Sequence, residues 1–159
     1  FSWLLSPIKS NWTLPETLCK ITTMRGDRIE CVLDRHPDTR RRFIGVFPRD
    51  KLPPELQPGQ CFVANSDLKG DPGKHWTVFI AAENHLEFFD PLGERPSFYD
   101  FPEYQASMVF NDRIIQRKGS KFCGHFCILY RVSKNNGTPL YSKKYLILHG
   151  VSYLILKTI

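Results

Sequence analysis

The chain has 159 residues, of which 42% are hydrophobic and 24% charged, enough for one globular domain with a real core and too few for two comfortable ones. Twelve prolines and 13% aromatic residues point to a loop-rich mixed fold rather than a helical bundle. The net charge of +6 is uneven: residues 1–60 carry 10 basic and 7 acidic side chains, 61–104 carry 3 and 8, and 105–159 carry 9 and 1.

That basic last third could face nucleic acid or an acidic partner, or be a solvated surface. Five cysteines, an odd number without a regular framework, argue against a disulfide scaffold. They suit a reduced, intracellular or intravirion setting, with a nucleus or virion-like particle as candidate locations. The stretch from Phe1 lacks the basic and apolar regions of a signal peptide, and Tyr145–Leu156 is too short to span a bilayer, so a soluble protein without a membrane partner is expected. Beginning at Phe1, the chain is expected to be a fragment or a processed product.

In chain order, Trp3, Leu4, Leu5, Trp12 and Leu14 are interrupted by Pro7 and Pro15, which predicts irregular or short elements over residues 1–40. Arg35–Arg42 reads as an exposed charged linker, with His36 a solvated loop residue. From residue 43 the texture changes. Phe43–Phe47 and Gln60–Ala64 are predicted strands, separated by the turn-dense Leu52–Gly59. His75–Ala81 and Leu86–Phe89 are predicted to pair as a hairpin turning at Glu83-Asn84. Pro91–Val109 reads as turns with one short helix near Glu103–Ser107, and Arg113–Gln116 as another strand. Cys123–Tyr130 is predicted to open a buried helix after the basic loop Arg117–Lys121. Tyr145-Leu-Ile-Leu and Tyr153-Leu-Ile-Leu are near-duplicates too short to form a structural repeat.

Within this outline the residue types His75, Asp90, Gln116 and Cys123 suit nucleophilic hydrolysis of an amide by a thiol. Cys123 would stand where a loop enters a helix, so that the positive end of the helix dipole favours its thiolate; alone it could equally be a small buried hydrophobe. His75 opens one strand of the hairpin and Asp90 ends the other, which brings a base and a group that orients it together. Gln116 could join the Cys123 amide in a two-donor oxyanion hole. Gly124 would let a substrate backbone approach, and Trp76 would pack near the base and limit water, or be a core aromatic. Cys123 and Cys127 share a helix face while His125 points elsewhere, too few ligands for structural zinc, so no metal is expected. Cys127 is expected in the core, and Cys19, Cys31, Cys61, His85 and His149 carry no readable role.

The strings Phe43-Ile-Gly-Val-Phe-Pro-Arg-Asp-Lys-Leu-Pro, Asn65-Ser-Asp, Gly73-Lys-His-Trp, Phe88-Phe-Asp-Pro-Leu-Gly, Gln116 and Phe122-Cys-Gly-His-Phe-Cys together resemble the adenovirus-type cysteine proteases (adenain). The closest resemblance is to their relatives in Polinton/Maverick elements and related large DNA viruses, with the SUMO-specific proteases as distant cousins. The resemblance covers roughly residues 43–131. It implies a papain-like α+β fold, with a nucleophile-bearing helix packed on a small sheet, and a triad of Cys123, His75 and Asp90. The adenoviral enzymes have glutamate where this chain has Asp90, as many other members do. It further implies an endopeptidase maturing virus-like structural proteins. No cofactor is required, although the adenoviral enzyme uses DNA and a peptide as activators. An isopeptidase for ubiquitin-like modifiers and a non-catalytic basic nucleic-acid-binding remnant are the alternative readings, and the oligomeric state is left open. Residues 1–42 match nothing in the family. Residues 132–159 lack the pattern of the helices expected after the nucleophile, which a truncated reading frame or an unspliced intron would explain.

Overall fold

The computed structural model describes residues 24–71 and 73–136. The expectations for Trp3–Leu14 and for Tyr145–Leu156, with those for Cys19 and His149, fall outside the described residues. The fold is α+β: α1 (Gly26–Arg35), β1 (Phe43–Pro48), β2 (Cys61–Asn65), β3 (Trp76–Ala81), β4 (Leu86–Phe89), β5 (Met108–Phe110) and α2 (Cys123–Asn136). The strands form one sheet in the order β1-β2-β3-β4-β5. The three central strands pair antiparallel, and each edge strand pairs parallel to its neighbour. Among the described residues no helix is long and apolar enough to cross a membrane.

The two-residue alternation of a strand sends side chains to opposite faces of the sheet. Cys61, Val63, Trp76, Val78 and Phe89 face the helices, where they pack with Ile29, Val32 and Leu33 of α1 and Phe126, Ile128 and Leu129 of α2. Phe62, Ala64, Phe79, Ala81, Leu86 and Phe88 face the loops, with Phe101, Phe47 and Tyr104 closing that layer. Both faces are thus covered, which is why every residue of β2 is buried.

The chain departs from its sequence pattern in five places. Residues 26–35 form a helix, with Ile29, Val32 and Leu33 at i, i+3 and i+4 making its buried face. This part of the amino-terminal segment belongs to the same core as the strands. His36 is 1% exposed rather than solvated: the chain turns back on itself there, with the Thr39 and Arg40 amides donating to the His36 carbonyl and Thr39 Oγ1 donating to Leu33 O at 2.6 Å. The one-turn helix after Pro91 lies at Pro96–Tyr99, where proline suits a first turn, and not at 103–107. The fifth strand is Met108–Phe110 rather than 113–116, because the Ile115 and Gln116 amides both donate to Pro91 O, at 2.9 and 2.8 Å, instead of joining a ladder. The second helix continues past residue 131 to Asn136.

Candidate active site

The hairpin of β3 and β4 delivers two polar groups to one end of the sheet. Its register pairs Val78 with Phe89, and one further step places Asp90 across from Thr77, beside His75. The Ser66 amide donates to the His75 carbonyl at 3.0 Å and fixes that backbone. His75 Nε2 lies 2.5 Å from Asp90 Oδ1, and both side chains are buried.

Burying a carboxylate is tolerable only where its lone pairs are met. Asp90 Oδ1 also accepts from the Leu92 amide at 3.0 Å, and Oδ2 accepts from the Glu94 amide at 2.9 Å and the Tyr99 hydroxyl at 2.7 Å. Asn111 clamps the backbone of the same residue: its Oδ1 accepts from the Asp90 amide at 2.8 Å and its Nδ2 donates to the Asp90 carbonyl at 2.6 Å.

With Nε2 engaged by Asp90, Nδ1 is the ring nitrogen left for another partner, and Cys123 lies near enough to act on the titration of the imidazole. Burial alone would lower the His75 pKa. The hydrogen bonds to Asp90 and then Cys123, with the charges of both, outweigh that and raise it from 6.5 to about 9. The imidazolium is therefore the form that this pocket holds at neutral pH. The Tyr99 ring lies over the imidazole, with centroids 5.3 Å apart and planes inclined by 25°. Burial, then the hydrogen bond to Asp90, raise the Tyr99 pKa, so its hydroxyl remains a donor.

Cys123 is the first residue of α2 and is buried, with its own amide at a helix start where no intrahelical acceptor exists. One turn on, Cys127 Sγ donates to the Trp76 carbonyl at 3.2 Å and ties the helix to β3 next to His75. Cys127 is fully buried, which pushes its thiol pKa well up and leaves it in the core as expected. Gln116 is 2% exposed; one N–H of its side chain donates to Ser120 O at 2.6 Å, and Nε2 retains a second N–H for another acceptor. Its backbone is held at Pro91, the residue after Asp90, so the Gln116 loop and the carboxylate are tied at one point.

The structure accounts for two neighbours of the site by packing. A Cβ on Gly124 would come within 3.0 Å of Met24 Cβ and 3.1 Å of Ile29 Cδ1, so its size permits the close approach of Met24 and of α1. Trp76 is a core aromatic whose Nε1 donates to Met24 O at 2.9 Å. A cleft of about 570 Å³ opens beside it, lined by Met24, Gly26, Val46, Asn65, Leu68 and Gly73 among others. A larger cavity, about 1100 Å³, lies at the opposite end of the hairpin around the Glu83-Asn84 turn, away from the thiol.

No protein-family model and no curated protein matches this chain. Its chemistry is therefore read from the residues themselves. Tyr99 and Asn111 are the site residues that sequence reasoning missed; an aromatic in a proline-flanked turn and an asparagine after a short strand carry no spacing that points to Asp90. Among the described residues of the basic last third, not every cation is free at the surface. Arg131 is buried, its Nε donating to Cys61 Sγ at 2.8 Å, and Lys134 pairs with Glu87 at 2.7 Å. Arg117, Lys118 and Lys121 are exposed.

Proposed function

We propose that the chain is a cysteine peptidase of papain-like fold, related to the adenovirus-type enzymes whose motifs its sequence resembles. The observation that carries the reading is the buried His75–Asp90 pair with Cys123, at a helix start, near enough to act on the same imidazole. In this reading His75 already holds the Cys123 proton as an imidazolium, and the paired thiolate attacks a peptide carbonyl. The resulting oxyanion accepts from the Cys123 amide and from Gln116 Nε2. Collapse breaks the C–N bond as His75 returns the proton to the leaving amine. Water, deprotonated by the same ring, then hydrolyses the thioester and restores the thiol. Asp90 holds the ring in the tautomer that presents Nδ1 to sulfur. The cleft beside Trp76 is where an extended peptide would lie, and the exposed Arg117–Lys121 loop is the described surface on which a nucleic-acid activator would act.

Labelling with a peptide-based cysteine trap tests this. Wild-type protein at neutral pH is expected to acquire one adduct, on Cys123, which is absent in Cys123→Ala and strongly slowed in His75→Ala. Equal slow labelling of all the cysteines would refute the reading, and steep salt-dependent DNA binding with an inert thiol would favour the non-catalytic alternative.

A further inference from the structure

We propose that Arg49 is a positioning residue for the base, holding the Tyr99-bearing turn so that the Tyr99 ring covers His75 and its hydroxyl meets Asp90. Arg49 follows the proline that ends β1 and begins a one-turn 3-10 helix, Arg49–Lys51. Its backbone is fixed: the Arg49 amide donates to Asp67 O at 3.0 Å, and Asp50 Oδ1 accepts from the Lys69 amide at 2.8 Å. From that anchor the side chain crosses to the other loop, where Nη1 donates to Tyr99 O at 3.1 Å and lies 3.7 Å from Asp100 Oδ2.

The receiving turn carries a second sign of the same arrangement. Asp100, with φ 55° and ψ 33°, is the one non-glycine among the described residues in the left-handed region, a conformation that glycine adopts most readily. Aspartate tolerates it and supplies what glycine lacks, a carboxylate for Arg49. The ion pair itself is weak, since the Asp100 side chain is 87% exposed against 26% for Arg49. The bond to the Tyr99 carbonyl is the stronger link, because it acts on the residue that touches the base. A guanidinium suits the task, since Nη1 carries two N–H groups and faces both the carbonyl and the carboxylate. Arg49 thus joins the loop that walls the cleft beside Trp76 to the turn that covers His75.

The inference rests on His75 as the base of the proposed peptidase, but its test reads the ring directly. The imidazole of His75 is titrated by NMR in the full chain, in wild type, Arg49→Ala, Arg49→Lys and Asp100→Gly, with thermal melts alongside. A cation loses favourable interaction when an aromatic ring leaves its face. The His75 midpoint is therefore expected to fall by about one pH unit, a tenfold change, in Arg49→Ala. Arg49→Lys should recover part of the shift. Asp100→Gly should move the midpoint slightly while leaving the melting temperature equal or higher. An unmoved midpoint in folded Arg49→Ala overturns the inference. If that variant does not fold, unmoved midpoints in both Arg49→Lys and Asp100→Gly overturn it. A shifted midpoint with an unreactive Cys123 would instead sustain the Arg49 role and refute the peptidase.

Discussion

The loop-facing layer of the sheet and the end of the hairpin beside it are built by opposite rules. Phe62 and Phe79 stack at 4.8 Å, and Phe79 meets Phe88 and Phe101 edge-on, in a layer where dispersion and water exclusion suffice. A few residues away, Asp90 and His75 are buried as well, yet Asp90 is held by directed hydrogen bonds, and the Tyr99 ring over the imidazole is positioned by one of them. An apolar layer loses stability in proportion to the atoms removed and leaves geometry elsewhere intact. A saturated polar cluster loses its function when any one member changes, because each remaining partner is then buried and unmet.

The largest expected effect breaks the polar side of that contrast. In Asp90→Asn the new amide N–H₂ must face groups that all donate: His75, the Leu92 and Glu94 amides and the Tyr99 hydroxyl. Steady-state kinetics should show kcat lowered on the order of 10²–10⁴-fold, with urea melts showing a loss of about 1–3 kcal/mol. The same pair sets a pH dependence. Because the His75 pKa is raised in the folded state, from 6.5 to about 9, its contribution to stability is full below pH 6.5 and is lost as pH rises through 9. Denaturation midpoints measured across that range should fall with pH, and fall less in His75→Gln. Gln116→Ala should lower kcat by roughly 10²–10³-fold with little change in KM, as expected for a donor used only by the oxyanion.

The apolar side should respond in stability alone. Phe79→Ala is expected to cost about 3–5 kcal/mol in chemical denaturation, while kcat per folded molecule stays near wild type. Gly124→Ala should have the smallest effect, about 1–3 kcal/mol, since Met24 and Ile29 must give way to one methyl group.

This contrast also explains what could be read from the sequence. The pairing of His75 with Asp90 was legible because both flank strands of one hairpin with a short turn, and hairpin register follows from strand length. Cys123 was legible as a helix start for the same local reason. The α1 helix carried a readable signal in Ile29, Val32 and Leu33, hidden among charged neighbours. Tyr99, Asn111 and Arg49 were not legible: Asn111 reaches Asp90 across 21 residues and Arg49 reaches Tyr99 across 50, through loops whose paths no periodicity encodes. The burial of His36 depended likewise on a reversal closed by Thr39, which charge pattern alone does not announce.

The proposed activity is hydrolysis of peptide bonds by Cys123, His75 and Asp90 acting together. The most direct test incubates the protein with a complex mixture of peptides and counts new termini by mass spectrometry, in wild type, Cys123→Ala and Asp90→Asn. New carboxyl and amino termini are expected with wild type, none above background with Cys123→Ala, and sharply fewer with Asp90→Asn. Cleavage that persists in Cys123→Ala, or none in folded wild-type protein whose Cys123 accepts the peptide trap, would contradict it.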